Sequence, residues 1–504
     1  MFGLLGTLVI GCTIFSLVYL YRHYSYWLRR GILQETPLPL IGNFKGLGTT
    51  HHLRDIYQRL YNEFKGQAPF AGCYMFMQRS ALLLDLDLIK KVLVKDFQYF
   101  QNRGGFHNVE DDPLTGHLSN LKGEQWRKMR AMLTPVFTTA RMKYMFPTVV
   151  KVGKILLQTI DEVLEEKRKD PVLEIKDLCS RFTTDVIANC AFGIECSSLK
   201  DPKTEFRQKG IEIFTKPRHH PLLLLFMVMN PNICQRLRMK LFPDDLTEFF
   251  MSVIRQTVEY RLENNIKSND FIDLMIEMKA REGEGISFEQ MAAFTFDFFL
   301  AGFETSSTTM AFTLYELARN PEIQEHLREE ILGILGEDDT ELRYEDIQKM
   351  TYLEQTISET LRLYPVLAGL IRVATHDYHV PHTGHTIEKD IQIIIPIHAI
   401  HHDSDYYENP EEFNPNRFGA EASERRHPSA YLPFGEGPRS CIGMRFGKMQ
   451  TKIGLIFLLS KYRFECCPLT QVPMELDKRG FFVTSKNGIY LKVVGIKRRV
   501  WRIH

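Results

Sequence analysis

Cys441 lies in a segment that suits a thiolate ligand. The segment reads Phe434-Gly435-Glu436-Gly437-Pro438-Arg439-Ser440-Cys441-Ile442-Gly443, and helix-compatible sequence follows from Met444 to Leu459. Glycines let backbone N–H groups approach the sulfur closely. These N–H groups and the positive end of the following helix both favour thiolate over thiol. A lone cysteine is more often a small apolar residue, so the flanking residues are what indicate a metal ligand.

A second candidate site is the sequence Ala301-Gly302-Phe303-Glu304-Thr305-Ser306, which places a hydroxyl beside an acid. Such a pair can deliver protons in a site that otherwise excludes water. The structural alternative is that a mid-helix threonine bonds the carbonyl four residues earlier, here that of Ala301. The helix alone favours that alternative, and the cysteine segment shifts the interpretation towards proton delivery.

Two further patterns pair charged or aromatic residues at helical spacing. Glu359 and Arg362 are three residues apart in a helix-compatible segment, and Trp126 and Arg130 are four apart on one helical face. Most such pairs are solvated and contribute little. Their significance therefore depends on the other motifs.

Together these segments resemble the cytochrome P-450 superfamily. Its haem-binding signature, F-x-x-G-x-R-x-C-x-G, is matched at Phe434, Gly437, Arg439, Cys441 and Gly443. Residues 301–306 resemble its oxygen-activation motif, Glu359 and Arg362 its E-x-x-R motif, and Pro415-Asn416-Arg417-Phe418 its P-E-R-F motif, with Asn416 in place of the usual glutamate. The matches follow the family's order across essentially the whole chain.

The resemblance implies a role for each matched residue. Cys441 would be the axial ligand and metal ligand of haem b, and Thr305 and Glu304 would be the catalytic pair. Glu359, Arg362 and Arg417 would form a buried ion-pair network that braces the haem side. Haem propionates need cationic or donor partners, and the resemblance assigns these to Trp126, Arg130, Arg372 and Arg439, with Arg103 as a weaker candidate.

The resemblance also implies the reaction and its partners. The expected activity is NADPH-dependent oxidation of lipophilic small molecules, with electrons from a separate flavoprotein reductase, because the chain has no flavin or nicotinamide fold of its own. Cytochrome b5 is a further candidate partner. Residues around Glu304 and Cys441 look most like the insect microsomal branch associated with plant toxins and insecticides. Fatty-acid or steroid oxidation, a reductase-independent isomerase or dehydratase, and a sensor or carrier without turnover remain as alternatives.

The substrate pocket follows from family position rather than from any local pattern. Its expected lining is mostly apolar or aromatic. The residues are Phe106, His107, Phe294, Phe298, Ala301, Val366, Leu367, Leu370, Phe482 and Val483.

Composition limits the remaining function classes. With 63 basic and 62 acidic residues the formal charge is +1, so no global field attracts nucleic acid. Nine cysteines, an odd number without a C-x-x-C pair, argue against a disulfide framework and for a reducing compartment. His401-His402-Asp403 could suggest a second metal site, but the family carries similar polar sequence there.

Helical patterns dominate, with short strand-like runs at residues 81–84, 392–396 and 489–494, so the predicted fold is mainly α with a minor β part. One long helix is expected from a capping-box pattern at Ser287 and Gln290 to Arg319, where Asn320-Pro321 stops it. Its apolar centre places it inside the protein. No linker or repeat divides residues 44–504, which we interpret as a single catalytic domain.

The N-terminal residues indicate where in the cell the protein is located. Residues 1–21 carry no charge and are about long enough to cross a bilayer, and Arg22, Arg29 and Arg30 follow. That order predicts a single-pass anchor with the catalytic domain on the cytosolic side of the endoplasmic reticulum membrane. A cleaved signal peptide is the alternative, but no basic n-region precedes the span. Residues 22–43, with two prolines and a glycine, are the expected hinge.

The sequence also suggests two contact surfaces. Basic residues around the haem-proximal segments are candidates for docking an acidic reductase, with a solvated face as the alternative; they are Lys122, Arg127, Lys128, Arg445 and Lys448. The apolar run from Leu222 to Met229 is too short to cross a membrane. It is either a second membrane contact or part of the core.

Overall fold

The computed structural model describes residues 2–268, 270–280, 285–336 and 342–496. Met1 of the predicted anchor and residues 497–504 of the predicted catalytic domain lie outside the described residues. Helices dominate: α1 Phe2–Tyr24, α2 Leu53–Phe64, α3 Leu86–Lys90, α4 Gly123–Leu133, α5 Thr139–Glu166, α6 Ile175–Ile187, α7 Glu205–Thr215, α8 Pro221–Met229, α9 Pro231–Arg236, α10 Asp244–Asn264, α11 Phe271–Lys279, α12 Phe288–Arg319, α13 Pro321–Leu335, α14 Tyr344–Lys349, α15 Thr351–Leu363, α16 Ile397–His401, α17 Ala420–Arg425 and α18 Met444–Lys461. The mainly helical fold class predicted from the sequence is confirmed.

The strands form small sheets. They are β1 Phe70–Met75, β2 Gln78–Leu83, β3 Val172–Glu174, β4 Leu370–Val373, β5 Tyr378–His379, β6 Thr386–Ile387, β7 Gln392–Ile395, β8 Tyr462–Glu465 and β9 Tyr490–Gly495. The largest sheet has the order β1-β2-β7-β4, in which only the β2–β7 pair is parallel; β9 lies between β3 and β8 in a second sheet, and β5 pairs with β6. The three strand-like runs of the sequence correspond to β2, β7 and β9.

Helix α12 organises the larger core. It spans 32 residues and begins as predicted: the Ser287 hydroxyl accepts from the Gln290 amide at 3.1 Å, and the Gln290 side chain accepts from the Ser287 amide at 3.0 Å. Pro321, which has no N–H to continue the helix, starts α13 instead. Most side chains along α12 are buried, so the helix passes through the protein interior.

Helix α18 follows the cysteine segment and packs directly on α12. A Cβ at Gly454 would meet the end of the Met310 side chain, so a larger residue there would require Met310 to move. Gln450, fully buried on α18, donates to the Gly302 carbonyl at 2.9 Å and to the Ser306 hydroxyl at 2.6 Å. The helix after Cys441 is thereby held against residues 302–306 of α12.

The N-terminal region differs in part from expectation. Helix α1 contains a stretch from Leu5 to Tyr24, 20 residues with mean hydropathy 1.5, that is long and apolar enough to cross a membrane. Within it, only His23 and Tyr24 at its end are buried. The expected hinge at 22–43 is packed against the body instead, and Tyr26, Trp27 and Ile32 are buried. Trp27 fills a space that exists because residue 72 is glycine, where any Cβ would collide with the indole. Helix breakers were visible in the sequence, but this distant packing was not.

Candidate functional site

The loop before α18 presents the Cys441 thiol. Gly435 and Gly437 adopt positive φ angles of 68° and 73°, and a Cβ at Gly437 would collide with the Leu93 carbonyl. The Cys441 amide donates to the Phe434 carbonyl at 2.8 Å, which closes the loop. Gly435 and Gly437 are therefore needed for backbone shape, since other residues rarely adopt this conformation.

Several cationic side chains hold this loop in place. The Arg439 guanidinium donates to the carbonyls of Gln101, Leu118 and Leu121, and lies 4.1 Å from the centre of the Trp126 ring. Arg130 donates to the Ser440 carbonyl at 2.9 Å, and Arg103 donates to the Arg439 carbonyl at 2.9 Å. The structure thus brings Trp126, Arg130 and Arg439 together, as the sequence pattern suggested, and adds carbonyl partners that the sequence did not indicate.

These arginines and Arg372 form a positive cluster. Among the described residues, none of the four makes an ion pair, and the Arg372 Nε is buried without a hydrogen-bond partner. Burial, reinforced by the charge of Arg103, lowers the pKa of Arg372 to about 9. Burial and the neighbouring guanidinium groups lower the pKa of Arg439 to about 8. Buried like charges of this kind are stabilised by an anionic ligand.

The thiol itself experiences opposing effects. The Cys441 side chain is accessible to solvent, but the protein around it disfavours the charged form and raises the pKa of Cys441, while the Gly443 N–H and the charges of Arg103 and Arg130 act to lower it. The net shift is upward. The loop dipoles predicted from the sequence are present, and a bound metal ion would favour the thiolate further.

Helix α12 carries the predicted oxygen-activation residues. Ala301 is exposed although its neighbour Phe303 is buried, and Cys441 is exposed as well. The half-buried Thr305 hydroxyl donates to the Ala301 carbonyl at 2.6 Å, which is the structural alternative considered for this residue. That bond does not exclude a second role, because a hydroxyl oxygen can still accept a proton or a hydrogen bond.

Glu304 has a partner that the sequence did not reveal. Its carboxylate lies 2.9 Å from the Lys176 ammonium of α6, and the Thr308 hydroxyl donates to it at 3.3 Å. Lys176 also donates to the Ser307 hydroxyl at 2.9 Å. Glu304 therefore belongs to a polar chain of Lys176, Ser307 and Thr308 and does not bond Thr305 directly.

Glu359, Arg362 and Arg417 lie together, as expected from the motifs. Glu359 and Arg362 are fully buried and joined by two bonds of 2.7 and 2.8 Å, and the Arg417 Nε lies 3.4 Å from Glu359. Arg362 also donates to the carbonyls of His401 and Glu412. This network connects α15 to the segments on either side of residue 410.

The expected pocket residues fall into two groups. Ala301, Val366, Leu367, Leu370 and Phe482 are exposed or half-buried, and the Val483 amide donates to the Val366 carbonyl, which joins two of the predicted segments. Phe298 instead lies among the rings of Phe137, Phe271 and Phe446, and Phe106 is buried near Met227 and Cys234. The sequence missed Phe214 of α7, whose ring contacts Phe482 at 5.7 Å.

The histidines near residue 400 are structural in this arrangement. His401 is buried and its Nε2 accepts from the Leu432 amide at 2.9 Å, while His402 bonds the His398 carbonyl. No group of three or more potential metal-ligating side chains occurs in the described part of the chain.

Comparison with known proteins identifies the family. The family model described as cytochrome P450 matches residues 33–493, which includes all of these motifs. The chain belongs to the cytochrome P450 family. It is therefore a P450 monooxygenase, an oxidoreductase of the haem-thiolate class.

Among the relatives of this P450, insect proteins are prominent. It is 53% identical over 484 residues to "Probable cytochrome P450 6a14" of Drosophila melanogaster, an alignment covering 93% of this chain and 95% of that protein. It is 46% identical to "Cytochrome P450 6a2" of the same species, covering 95% and 97% of the two chains. It is 42% identical to "Cytochrome P450 6A1" of Musca domestica, covering 96% of each.

The residues of this P450 fit the cofactor that the family implies. A haem carries two carboxylates and needs one axial protein ligand. The cluster of Arg103, Arg130, Arg372 and Arg439 supplies cations that make no ion pair among the described residues; Arg372 and Arg439 are buried, and the Arg372 Nε has no hydrogen-bond partner. Cys441 supplies a thiol beside that cluster, within reach of the charges of Arg103 and Arg130.

Proposed function

We propose that this P450 inserts one oxygen atom from dioxygen into apolar small molecules, with plant toxins and insecticides as the substrate class. The observation that carries the proposal is that five apolar residues of the expected pocket, Ala301, Val366, Leu367, Leu370 and Phe482, are not fully buried. The Val483 amide bonds the Val366 carbonyl, and Leu370 lies beside Gly435 of the cysteine loop. Apolar surfaces bind ligands mainly by burying apolar area. The similarity to insect relatives supports the insect branch of the family, to which this substrate class belongs.

Each side chain has a defined task in this proposal. Cys441 would hold the iron, and Arg103, Arg130, Arg372 and Arg439 would pair with the two propionates. When bound, haem supplies the redox chemistry that activates dioxygen. Thr305 would hold a proton-donating water at the face of α12, and the polar chain around Glu304 and Lys176 would relay protons to it from the α6 side. The apolar lining would exclude other water.

Electrons would come from NADPH through a separate flavoprotein reductase, with cytochrome b5 as a second donor. Arg127, Lys128 and Arg445 are exposed, and α4, which carries the first two, bonds the cysteine loop through Arg130. Lys448 is half-buried and pairs with Glu354, and Lys122 is half-buried. The three exposed residues are therefore the better docking candidates, because an acidic partner can reach them.

The proposed location is the cytosolic face of the endoplasmic reticulum membrane. Helix α1 is apolar enough to span a bilayer; Arg22 lies in its last turn, and Arg29 and Arg30 follow it. The positive-inside rule places such a cluster, and the body after it, in the cytosol.

The test is reconstitution of the full chain with reductase, NADPH and lipid, followed by mass spectrometry of products across lipophilic toxins, fatty acids and steroids. Products carrying one added oxygen, formed only with NADPH, are expected mainly from the toxins. Preference for fatty acids or steroids would favour endogenous metabolism. Peroxide rearrangement without NADPH would show an isomerase or dehydratase, and binding without turnover would show a carrier; each contradicts the proposal.

A spectroscopic measurement tests the proposed ligand separately. Reduced protein with carbon monoxide should show the Soret shift of thiolate-ligated haem, and Cys441→Ala should abolish it. Cys466→Ala is the control, because Cys466 is also exposed but lies outside the loop. Retention of the shift in the Cys441 variant would mean that another residue is the ligand.

A further inference from the structure

A cavity of about 550 Å³ lies where helix α1 meets the body of the protein. Phe15, Val18 and Tyr19 of α1 form one part of its lining, and Arg22 and His23 follow in the last turn of the same helix. This volume is ordinary for a ligand site. Because the two parts of the lining differ in polarity, the cavity suits a molecule with one apolar and one polar end.

The polar end of the cavity is strongly cationic. Its lining includes Arg22 of α1, Arg29 and Arg30 after this helix, and Arg79 of strand β2, and Glu388 is the only acid among the described residues that line it. Arg30 pairs with Glu388 at 2.5 Å, whereas none of the other three arginines makes an ion pair within the described ranges of the chain. Three guanidinium groups are therefore left for an anion.

Arg79 contacts an aromatic ring instead of an acid. The guanidinium carbons of Arg79 and Arg30 lie 4.2 and 3.7 Å from the centre of the Tyr26 ring, and Tyr26 is buried. A guanidinium group whose face stacks on a ring keeps the N–H groups at its edge free to donate. The Arg79 Nε is itself buried and has no hydrogen-bond partner among the residues that the structure describes.

A buried histidine adds a second unused polar atom. His23 is 9% exposed, and its Nε2 has no hydrogen-bond partner in the described part of the chain. A buried polar atom without a partner costs free energy, so this position favours a ligand that bonds it. The oxygens of one phosphate group can accept from an imidazole N–H and from guanidinium groups together.

The order of these groups along α1 matches the polarity of a lipid. Phe15, Val18 and Tyr19 are 71%, 50% and 53% exposed. Phe15 precedes Arg22 by about 10 Å along the helix axis, at 1.5 Å per residue. With α1 across a bilayer, as proposed above, the apolar end of the cavity faces acyl chains and the arginines lie at the level of the headgroups.

We propose that this cavity binds one phospholipid with a net negative headgroup, whose phosphate lies among Arg22, Arg79 and His23 and whose acyl chain lies along α1. A choline headgroup is disfavoured, because its own cation would meet guanidinium groups that have no acidic partner. Arg79 distinguishes this site from the general attraction of a basic segment to a membrane, because it comes from strand β2. The inference rests on the proposed membrane location of α1 and is independent of the proposed reaction.

The test counts lipids bound to the full, haem-loaded chain in detergent micelles by native mass spectrometry. Dioleoylphosphatidylglycerol and dioleoylphosphatidylcholine carry the same acyl chains and differ in headgroup charge. Ammonium acetate at about 0.3 M screens the long-range attraction between charges. We expect one phosphatidylglycerol to bind about tenfold more tightly than phosphatidylcholine, and Arg79→Gln to remove most of this preference.

Lys389→Gln is the matched control. It removes the same charge next to Glu388, but Lys389 is exposed and does not line the cavity, so affinity for either lipid should stay within about twofold. Arg22→Gln, at an exposed position of α1, gives the same test if the Arg79 variant does not fold.

Three results would overturn the proposal. Equal affinity for the two lipids, or equal weakening by Arg79→Gln and Lys389→Gln, would leave only a diffuse positive charge. Displacement of phosphatidylglycerol by an equal concentration of inorganic phosphate would show a site for free phosphate. A chain that binds vesicles of neither lipid would contradict both the proposed location and this site, whereas the comparison of headgroups tests the site alone.

Discussion

The Thr305 hydroxyl has a partner in its own helix, the Ala301 carbonyl at 2.6 Å, and also lies on the face of α12 that includes the exposed Ala301. Both interpretations drawn from the sequence therefore remain compatible with one geometry. The distinction is whether the hydroxyl oxygen, which still has acceptor capacity, holds a proton-donating water during turnover.

Thr305→Ala should uncouple the reaction without disturbing the fold. It removes one hydroxyl and little volume, so substrate affinity and the carbon monoxide spectrum should be nearly unchanged. The ratio of product formed to NADPH consumed should fall by about tenfold or more, with hydrogen peroxide appearing instead, because general acid catalysis contributes on the order of a hundredfold or more.

Two variants make this result specific. Thr305→Ser keeps the hydroxyl and should restore much of the coupling. Thr309→Ala removes the same kind of intrahelical bond one turn later, where Thr309 is buried and donates to the Thr305 carbonyl. It should couple like the unmodified enzyme. Normal coupling in Thr305→Ala would assign proton delivery to another group.

At the scale of elements, helix α15 is attached to its surroundings through the fully buried ion pair of Glu359 and Arg362. Arg362→Met would leave the buried Glu359 carboxylate with the Arg417 Nε at 3.4 Å and the Asn414 amide at 2.9 Å, so the free energy of unfolding should fall by about 3 to 5 kcal/mol. Arg127→Met is the control, because its i,i+3 pair with Glu124 is exposed and should contribute no more than about 1 kcal/mol. Denaturant unfolding measures both. Equal losses would mean that burial of the Glu359 pair is unimportant.

Sequence patterns predicted elements and motifs better than contacts between elements. The bounds of α12 follow from Ser287, Gln290 and Pro321 because caps and breakers act locally. The carbonyls that surround Arg439 come from residues 101, 118 and 121, and Lys176 reaches Glu304 from another helix. Such pairings depend on the folded path of the chain. They leave no periodic pattern in the sequence.

Helix α8 presents the second candidate membrane contact. Leu222, Phe226 and Val228 are 71%, 40% and 48% exposed, whereas Met227 is buried. Most of the apolar run therefore faces outward, which favours membrane contact over core. We expect Leu222→Ser with Phe226→Ser to reduce liposome binding of a chain lacking residues 2–21 by about tenfold, because each serine removes apolar area that lipid would bury.

The truncation point follows from the fold. Removing residues beyond 21 would delete the buried Tyr24, Tyr26 and Trp27 and disturb the body. Tyr260→Ser with Leu262→Ser is the matched control, since both residues are 60% or more exposed on α10. If both double variants bind liposomes equally, α8 has no special role.

Over the whole molecule the charges nearly balance, but the proposed docking face carries the exposed cations Arg127, Lys128 and Arg445. Lys128→Glu and Arg445→Glu should each slow reduction by the reductase by roughly threefold or more at low salt, with substrate affinity unchanged, because steering depends on local charge. Stopped-flow reduction at several salt concentrations measures this effect. Lys478→Glu is the control, an exposed lysine far along the chain from the cysteine loop. Identical reduction rates and salt dependence in all three variants would exclude this docking face.

The buried arginine cluster also bears on the protein's lifetime in a cell. Four guanidinium groups that repel one another destabilise the folded chain when no dianionic ligand is bound. Haem binding and folding of the chain are therefore thermodynamically linked. A small loss of stability raises the unfolded fraction that quality control degrades. We therefore expect the abundance of this enzyme to follow the haem supply of its cell, independently of how much messenger RNA is translated.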